Sequence, residues 1–170
     1  MLRIMVVEDD RQLATTLKYL VEDNPRYQVV AIADDLDSAL DAAATHRPEL
    51  ALVDLRLAHG TTGFSVAVRL ADEDIPVLFV TGKAPDFPMP DLALGCLMKP
   101  FTAEDVHRSL AMAEDMMRGT ERTKHVPIIF VTAGSHDQQH VFKGYEFGRK
   151  IKATAINAMM SNVVRAGSII

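Results

Sequence analysis

The sequence predicts an α/β fold in which helices cover both faces of a doubly wound parallel sheet of five strands. Over residues 1–117, short apolar runs alternate with segments whose apolar residues recur at helical spacing. The runs are apolar at successive positions, which indicates strands buried on both faces and is typical of parallel sheets. Polar residues directly follow four of these runs, at the strand ends where ligands collect in such folds.

The first two strand–helix pairs are predicted within residues 1–46. The run Leu2–Val7 is short and apolar, and it ends abruptly at Glu8 and Asp9. A second strand is predicted at Tyr27–Ala33, and Asp34 or Asp35 is expected to cap the helix that follows it. The predicted apolar stripes are Leu13, Leu17, Leu20 and Val21 in the first helix and Leu36, Leu40 and Ala43 in the second.

Three further strands are predicted at residues 50–53, 76–80 and 95–98, and they are followed by Asp54, Thr81 and Lys99. Thr102 is expected to cap the last helix, with Asp105 completing a capping box. The predicted stripes are Phe64, Ala67, Val68 and Ala71 in the third helix and Val106, Leu110, Ala113 and Met117 in the last.

The alternation of strands and helices leads one to expect a helix between Thr81 and Lys99, but the sequence of this segment does not predict one. It contains Pro85, Pro88 and Pro90, and proline at this density is incompatible with a regular helix. We therefore expect a loop here, with at most a turn near residues 92–94.

Length and charge predict one domain with an extension. The chain has 170 residues and a net charge of −5, which argues against a nucleic-acid coat protein. Residues 1–117 hold 20 acidic and 10 basic side chains, whereas residues 118–170 hold 3 acidic and 8 basic. This reversal predicts a boundary between a domain at residues 1–118 and an extension at residues 119–170.

The sequence also predicts a cytoplasmic protein without disulfides or membrane spans. Cys96 is the only cysteine, and no apolar run is long enough to cross a membrane.

The polar residues at the strand ends indicate a magnesium site. Glu8, Asp9 and Asp54 should meet at one edge of the sheet, where three carboxylates would repel one another strongly. A hard divalent cation such as Mg²⁺ relieves this repulsion. Lys99 adds an ammonium group and Thr81 a hydroxyl group, so the edge could cradle a phosphoryl group while a carboxylate attacks it.

Four motifs in order resemble those of the receiver domain of two-component response regulators. They are Val-Val-Glu-Asp-Asp at residues 6–10, Leu-Val-Asp-Leu-Arg at 52–56, Phe-Val-Thr-Gly at 79–82 and Leu-Met-Lys-Pro-Phe at 97–101. The resemblance covers residues 1–117 and implies a flavodoxin-like sheet with strand order 2-1-3-4-5. Because it lacks a helix after the fourth strand, the predicted domain is similar to a subgroup of receivers whose fourth strand ends in a Phe-Ala-Thr-Gly-type motif.

The resemblance implies a role for each residue at this edge. Asp9 and Asp54 would bind Mg²⁺ together with the backbone carbonyl group of Arg56, and Glu8 would act mainly through water. Asp54 would be the phosphoacceptor.

Two further residues complete the implied site. Thr81 would bond the phosphoryl group and couple it to a loop shift, and Lys99 would pair with the same group. The Lys99–Pro100 peptide bond is expected to be cis. Receivers commonly carry an aromatic residue three positions before the lysine; Cys96 stands there, so a switch based on an aromatic rotamer is not expected.

The implied partner is a histidine kinase or a histidine phosphotransfer protein, with signalling by partner binding and no enzymatic activity beyond self-catalysed phosphoryl transfer and autodephosphorylation. A Mg²⁺-dependent hydrolase with Asp54 as nucleophile ranks lower, because dehalogenase-type phosphatases carry a second aspartate where this chain has Arg56.

The extension contains an internal repeat. Ile-Pro-Val-Leu-Phe-Val-Thr-Gly at residues 75–82 recurs as Val-Pro-Ile-Ile-Phe-Val-Thr-Ala at 126–133. Residues 126–148 therefore resemble a fragment of a second receiver, and a helical stripe follows at Ile151, Ala155, Met159 and Val163. The strand should join the sheet's own edge, pair with a second chain as a homodimer element, or remain poorly ordered.

The basic cluster of Arg149, Lys150 and Lys152 leaves one alternative function open, a DNA-binding transcriptional regulator that uses the C-terminal tail. Three basic residues in four are more often a solvated helix face, so nucleic-acid binding is the second choice.

Overall fold

The computed structural model describes residues 1–58, 60–83 and 92–119, and the backbone of a strand at residues 129–131. The strands are β1 (Leu2–Val7), β2 (Tyr27–Ala33), β3 (Leu50–Asp54), β4 (Val77–Thr81), β5 (Gly95–Met98) and β6 (Ile129–Val131). The helices are α1 (Arg11–Glu22), α2 (Leu36–His46), α3 (Gly63–Asp72) and α4 (Ala103–Met117).

The strands form one parallel sheet with the order β2-β1-β3-β4-β5-β6. The first five therefore have the expected order, 2-1-3-4-5. The strand of the extension joins the sheet's own edge beside β5, which is one of the three arrangements that the sequence left open. The other calls on the extension, the rest of the receiver-like fragment and the helical stripe, lie outside the described residues.

The central strands are buried on both faces, as their uninterrupted apolar sequences predict. Successive residues point to opposite sides of a strand, yet Val6 and Val7 are both fully buried. The β1 residue Val7 packs with the buried residues of α2 and α3. Val6 packs with those of α1 and α4. The sheet is thus covered by two helices on each face, which leaves its carboxyl edge free for polar side chains.

The helix starts are fixed by side-chain caps. The side chain of Asp35 caps α2, and Thr102 with Asp105 forms the expected capping box at α4. Asp10 caps α1 by accepting hydrogen bonds from the backbone N–H groups of Gln12 and Leu13, at 2.9 and 3.1 Å.

Between β4 and β5 the described residues, 82–83 and 92–94, form no helix; residues 84–91, which include the three prolines, lie outside the described part of the chain, so the predicted loop there stays a prediction. Nor is any helix in the described part of the chain long and apolar enough to cross a membrane.

The buried carboxylate of Glu114 links the end of α4 to the start of β2 through hydrogen bonds. Glu114 accepts hydrogen bonds from Arg26 at 2.6 Å, from the Tyr27 hydroxyl group at 3.4 Å and from Arg118. Because Glu114 is buried, Glu114→Gln should lower the free energy of unfolding by about 1 kcal/mol, measured by urea denaturation.

The matched control is Glu104→Gln on the same helix. Glu104 pairs with Arg108 at 2.7 Å, but its side chain is 81% exposed. An exposed pair of this kind contributes only about 0.3 kcal/mol. Equal effects of the two substitutions would show that the buried cluster adds nothing to stability.

Candidate functional site

The carboxyl ends of β1, β3, β4 and β5 meet at one edge, because these strands are parallel neighbours in the sheet. Glu8 follows β1, Asp54 ends β3 and Thr81 ends β4. The backbone N–H group of Lys99, directly after β5, donates to the Thr81 carbonyl oxygen at 2.8 Å, so these two positions are fixed relative to each other.

Three of the predicted residues form a cluster of carboxylates. Glu8, Asp9 and Asp54 each offer one oxygen, and these oxygens all lie within 4.8 Å of one another. Glu8 and Asp54 are buried and Asp9 is exposed. The cluster is thus open to solvent on the side of Asp9. Glu8 and Asp54 are shielded from solvent, so the repulsion between these two carboxylates is screened less.

Lys99 provides the positive charge for the two buried carboxylates. Its Nζ atom lies 2.5 Å from Asp54 Oδ2 and 2.9 Å from Glu8 Oε2. The other oxygen of Asp54, Oδ1, accepts from the backbone N–H group of Arg56 at 2.9 Å. Asp54 is therefore held through both oxygens, in a fixed orientation at the centre of the site.

For both Glu8 and Lys99, burial and hydrogen bonding to the partner shift the pKa in opposite directions. Burial raises the pKa of Glu8 and the Asp54 charge adds to this, although hydrogen bonds from Lys99 and from the Asp10 backbone oppose the shift. For Lys99, burial lowers the pKa, but hydrogen bonds to Asp54 and Glu8 and their charges outweigh burial, so the pKa is raised. Lys99 is therefore an ammonium ion at neutral pH.

Thr81 is buried at the same edge, but its hydroxyl group is engaged within its own loop. Oγ1 donates to the Lys83 carbonyl oxygen at 2.9 Å and accepts from the Lys83 N–H group at 3.3 Å. The structure thus places the predicted residue at the expected strand end, with its hydroxyl group bonded to the segment that follows β4.

Gly63, which the sequence analysis did not single out, lies directly against the backbone of Asp54. A Cβ atom built on Gly63 would lie 2.1 Å from the Asp54 carbonyl oxygen and 2.7 Å from Leu55 Cα. The Gly63 N–H group donates to the Leu55 carbonyl oxygen at 3.1 Å, and Arg56 forms a bridge with Thr62. The loop after β3 therefore folds back so tightly that only glycine fits at the start of α3.

Two smaller expectations are met beside the site. The Lys99–Pro100 peptide bond is cis. Cys96 is a buried residue of β5, and burial raises the pKa of its thiol to about 12. It is a small apolar residue at this position, as its lack of an aromatic ring led us to expect.

Comparisons with known proteins agree with this geometry. Residues 4–111 match the model of the response regulator receiver domain. The sensory transduction protein LytT of Bacillus cereus is 28% identical over 131 residues, which are 74% of this chain and 52% of the relative. The chain spans about half the length of the first curated relatives that it matches.

Solved structures of receiver domains superpose on the chain. The signal receiver domain of a modulated diguanylate cyclase from Desulfovibrio desulfuricans G20 gives a TM-score of 0.59 at 30% identity, covering 68% of this chain and 95% of that one. The response regulator PhyR from Brucella abortus gives 0.61 at 28% identity, covering 71% and 50%. With its sheet order, its acidic cluster and the match over residues 4–111, the chain belongs to the response regulator receiver domain family.

Proposed function

We propose that this chain accepts a phosphoryl group on Asp54 from a phosphohistidine of a histidine kinase or histidine phosphotransfer protein. The observation that carries the proposal is the position of the Lys99 Nζ atom between Asp54 and Glu8, within a cluster of three carboxylates at the sheet edge. An ammonium group and a cation-binding cluster around one carboxylate would neutralise an incoming phosphoryl group.

The residues present fit a magnesium ion. Glu8, Asp9 and Asp54 supply hard carboxylate oxygens close enough to share one cation, and Asp9 keeps the cluster open to solvent. We assign Asp9, Asp54 and the backbone carbonyl group of Arg56 as ligands, with Glu8 acting through water. When bound, Mg²⁺ would neutralise negative charge on the carboxylates and on the phosphoryl oxygens.

The transfer itself needs only a nucleophile and charge compensation from the protein. A carboxylate oxygen of Asp54 forms the new P–O bond while the P–N bond to the donor histidine breaks, and the imidazole nitrogen keeps the electron pair. Lys99 then exchanges its hydrogen bond with Asp54 for one with the phosphoryl group.

Thr81 links the phosphoryl group to the rest of the domain in this proposal. Its hydroxyl group has to leave the Lys83 carbonyl oxygen before it can donate to a phosphoryl oxygen. That exchange breaks the hydrogen bond between the Thr81 hydroxyl group and the Lys83 carbonyl oxygen, so the phosphorylated and unphosphorylated states differ at this loop. Such a difference is what a downstream partner can recognise.

The proposal includes the domain division, with the receiver at residues 1–118 and the extension at residues 119–170. We propose that the chain signals by partner binding, as a non-enzymatic cytoplasmic protein. The DNA-binding alternative rests on the cluster at Arg149, Lys150 and Lys152, which lies outside the described residues.

Substitution of the phosphoacceptor tests the proposal. In the presence of Mg²⁺ and a small acyl phosphate such as acetyl phosphate, the full chain should gain the mass of one phosphoryl group. Asp54→Asn should gain none, because an amide is not a nucleophile of this kind. The measurement is intact-protein mass spectrometry over time.

Asp10→Asn is the control. It removes a charge from the same acidic run, and asparagine keeps an oxygen that caps α1 as well as aspartate does. This variant should be phosphorylated like the unchanged chain. Equal phosphorylation of Asp54→Asn and Asp10→Asn would exclude Asp54 as the acceptor.

A further inference from the structure

Four exposed carboxylates at the carboxyl ends of β1 and β2 form no salt bridge with any described residue. The Glu8 N–H group donates to the Ala33 carbonyl oxygen at 2.9 Å, so the residues that follow the two strands are neighbours. Asp10 accepts hydrogen bonds from backbone N–H groups of α1, and Asp34 accepts one from the Ser38 hydroxyl group. The four carboxylates, here named the acidic patch, are those of Asp9, Asp10, Asp34 and Asp37.

Two exposed carboxylates on α3 and α4 lie beside a basic side chain instead. Glu104 pairs with Arg108 at 2.7 Å, and Asp72 lies 4.0 Å from Arg69. Around the acidic patch, in contrast, residues 4–10 and 27–46 contain no lysine or arginine. The acidic patch therefore carries a local surplus of negative charge that attracts a cationic partner.

The positive charge that this part of the sheet edge lacks is found in the extension. Residues 132–170 contain five lysine or arginine residues and two acidic residues, and no acidic residue follows Glu146. Three of the five form the basic cluster of Arg149, Lys150 and Lys152. The basic cluster and the acidic patch are thus complementary in charge.

The direction of β6 brings the extension to the edge that carries the acidic patch. Because β6 is parallel to β5, Val131 lies at the same carboxyl edge of the sheet as Glu8 and Asp54. Four strand spacings, or about 19 Å, separate β6 from β1. Arg149 follows Val131 by 18 residues, a length of chain that covers about 27 Å even when it is wound into a helix. The basic cluster is therefore within reach of the acidic patch of its own chain.

We propose that the basic cluster binds the acidic patch within the same chain and competes there with Mg²⁺ for Asp9. Asp9 belongs both to the acidic patch and to the three carboxylates that fit a cation. A basic side chain at Asp9 lowers the affinity of the site for the cation, and by linkage the cation weakens the binding of the basic cluster by the same factor. The extension thereby sets the Mg²⁺ concentration at which Asp54 becomes reactive. This regulation rests on the proposed function of the site, whereas the contact itself does not.

Zero-length cross-linking of the full chain tests the contact. A water-soluble carbodiimide joins a carboxylate to a lysine amine only when the two groups touch, as they do in a salt bridge. At low ionic strength and without Mg²⁺, we expect cross-links from Lys150 or Lys152 to the acidic patch in the monomeric species, identified by peptide mass spectrometry. They should disappear in about 1 M salt, where charges are screened beyond about 3 Å. The exposed carboxylates of Glu104 and Asp72 are the internal control and should form no cross-link with the basic cluster.

Neutralisation of the basic cluster tests the competition. The full chain carrying Arg149→Gln, Lys150→Gln and Lys152→Gln should bind Mg²⁺ with a dissociation constant about fivefold lower at low ionic strength, measured by calorimetric titration. In about 1 M salt the variant and the unchanged chain should bind the cation equally, because the contact is then screened.

The matched control removes three positive charges from the described helices through Lys18→Gln, Arg69→Gln and Arg108→Gln. Its dissociation constant should stay within about twofold of the unchanged value, because these side chains are screened from the site. Equal constants for the two triple variants would overturn the proposal, as would cross-links from the basic cluster that are missing in the monomer or form only between chains. Neither measurement depends on phosphorylation, so a chain that forms the cross-links but leaves Asp54 unmodified contradicts the phosphoacceptor proposal alone.

Discussion

Gly63→Ala should lower the free energy of unfolding by about 3 kcal/mol or more, because it forces backbone apart at the centre of the site. The added Cβ atom would lie 2.1 Å from the Asp54 carbonyl oxygen, and neither this atom nor Leu55 Cα can move aside as a flexible side chain could. Relief requires a shift of α3 or of the end of β3. The change is measured by urea denaturation, and the rate of phosphorylation by acetyl phosphate should fall with it.

Gly82→Ala is the matched control. A Cβ atom at Gly82 meets nothing within 4 Å, and the residue lies directly after Thr81 at the same edge of the sheet. Its effect should stay within about 0.5 kcal/mol, as for a surface substitution. If Gly63→Ala lowered the free energy of unfolding as little as Gly82→Ala, the result would contradict the close approach of α3 to β3.

Lys99→Met should destabilise the protein in buffer without divalent cations by about 2 kcal/mol. The substitution keeps an unbranched side chain, one atom shorter, but leaves Glu8 and Asp54, both buried, without the ammonium group that bonds them. Added Mg²⁺ should raise the thermal midpoint of this variant more than that of the unchanged chain, because Lys99 no longer competes for the same oxygens. Thermal denaturation with and without Mg²⁺ measures both effects.

The pH dependence of this variant follows from Glu8. Burial already raises the pKa of Glu8, and loss of Lys99 removes a group that opposes this shift. A carboxyl group whose pKa is higher in the folded than in the unfolded state binds protons on folding, so stability increases as the pH falls. The deficit of Lys99→Met should therefore shrink on acidification.

Lys18→Met, on α1, is the control for the loss of a lysine. It should change neither the response to Mg²⁺ nor the dependence on pH. An equal response of Lys18→Met and Lys99→Met to Mg²⁺ would contradict the view that Lys99 and the cation share the oxygens of Glu8 and Asp54.

The strand ends could be predicted from the sequence because a buried strand gives a strong local signal. An apolar run that stops abruptly at a charged residue locates the carboxyl end of a strand, and parallel neighbours bring such ends together. The sequence alone therefore predicts that Glu8, Asp54, Thr81 and Lys99 lie at one edge. The hydrogen bonds of Lys99 and the current partner of the Thr81 hydroxyl group depend on side-chain conformations, which spacing does not encode.

The rotational setting of α3 illustrates a limit of periodicity. The predicted stripe began at Phe64 and included Val68, whereas the buried residues are Gly63, Val66, Ala67 and Leu70. The contact of Gly63 with the Asp54 carbonyl oxygen brings this helix face against the sheet, and it is a long-range backbone contact. Glycine lacks an apolar side chain, so the stripe that it heads has no hydrophobic signal at its first position.

The position of β6 could not be chosen from the sequence alone. The repeat at residues 126–133 identifies a strand, but a strand pairs equally well with its own sheet or with another chain. What distinguishes these arrangements is the availability of the β5 edge, to which β6 is paired over Gly95, Cys96 and Leu97.

The most direct test of the central claim is to locate the phosphoryl group on the unchanged chain. The protein is incubated with acetyl phosphate, either with Mg²⁺ or with a chelator, and its peptides are sequenced by mass spectrometry. We predict one phosphoryl group, on Asp54, and only in the sample that contains Mg²⁺. Modification of another residue, or equal modification of Asp54 in the chelated sample, would contradict a site in which Glu8, Asp9 and Asp54 share a cation.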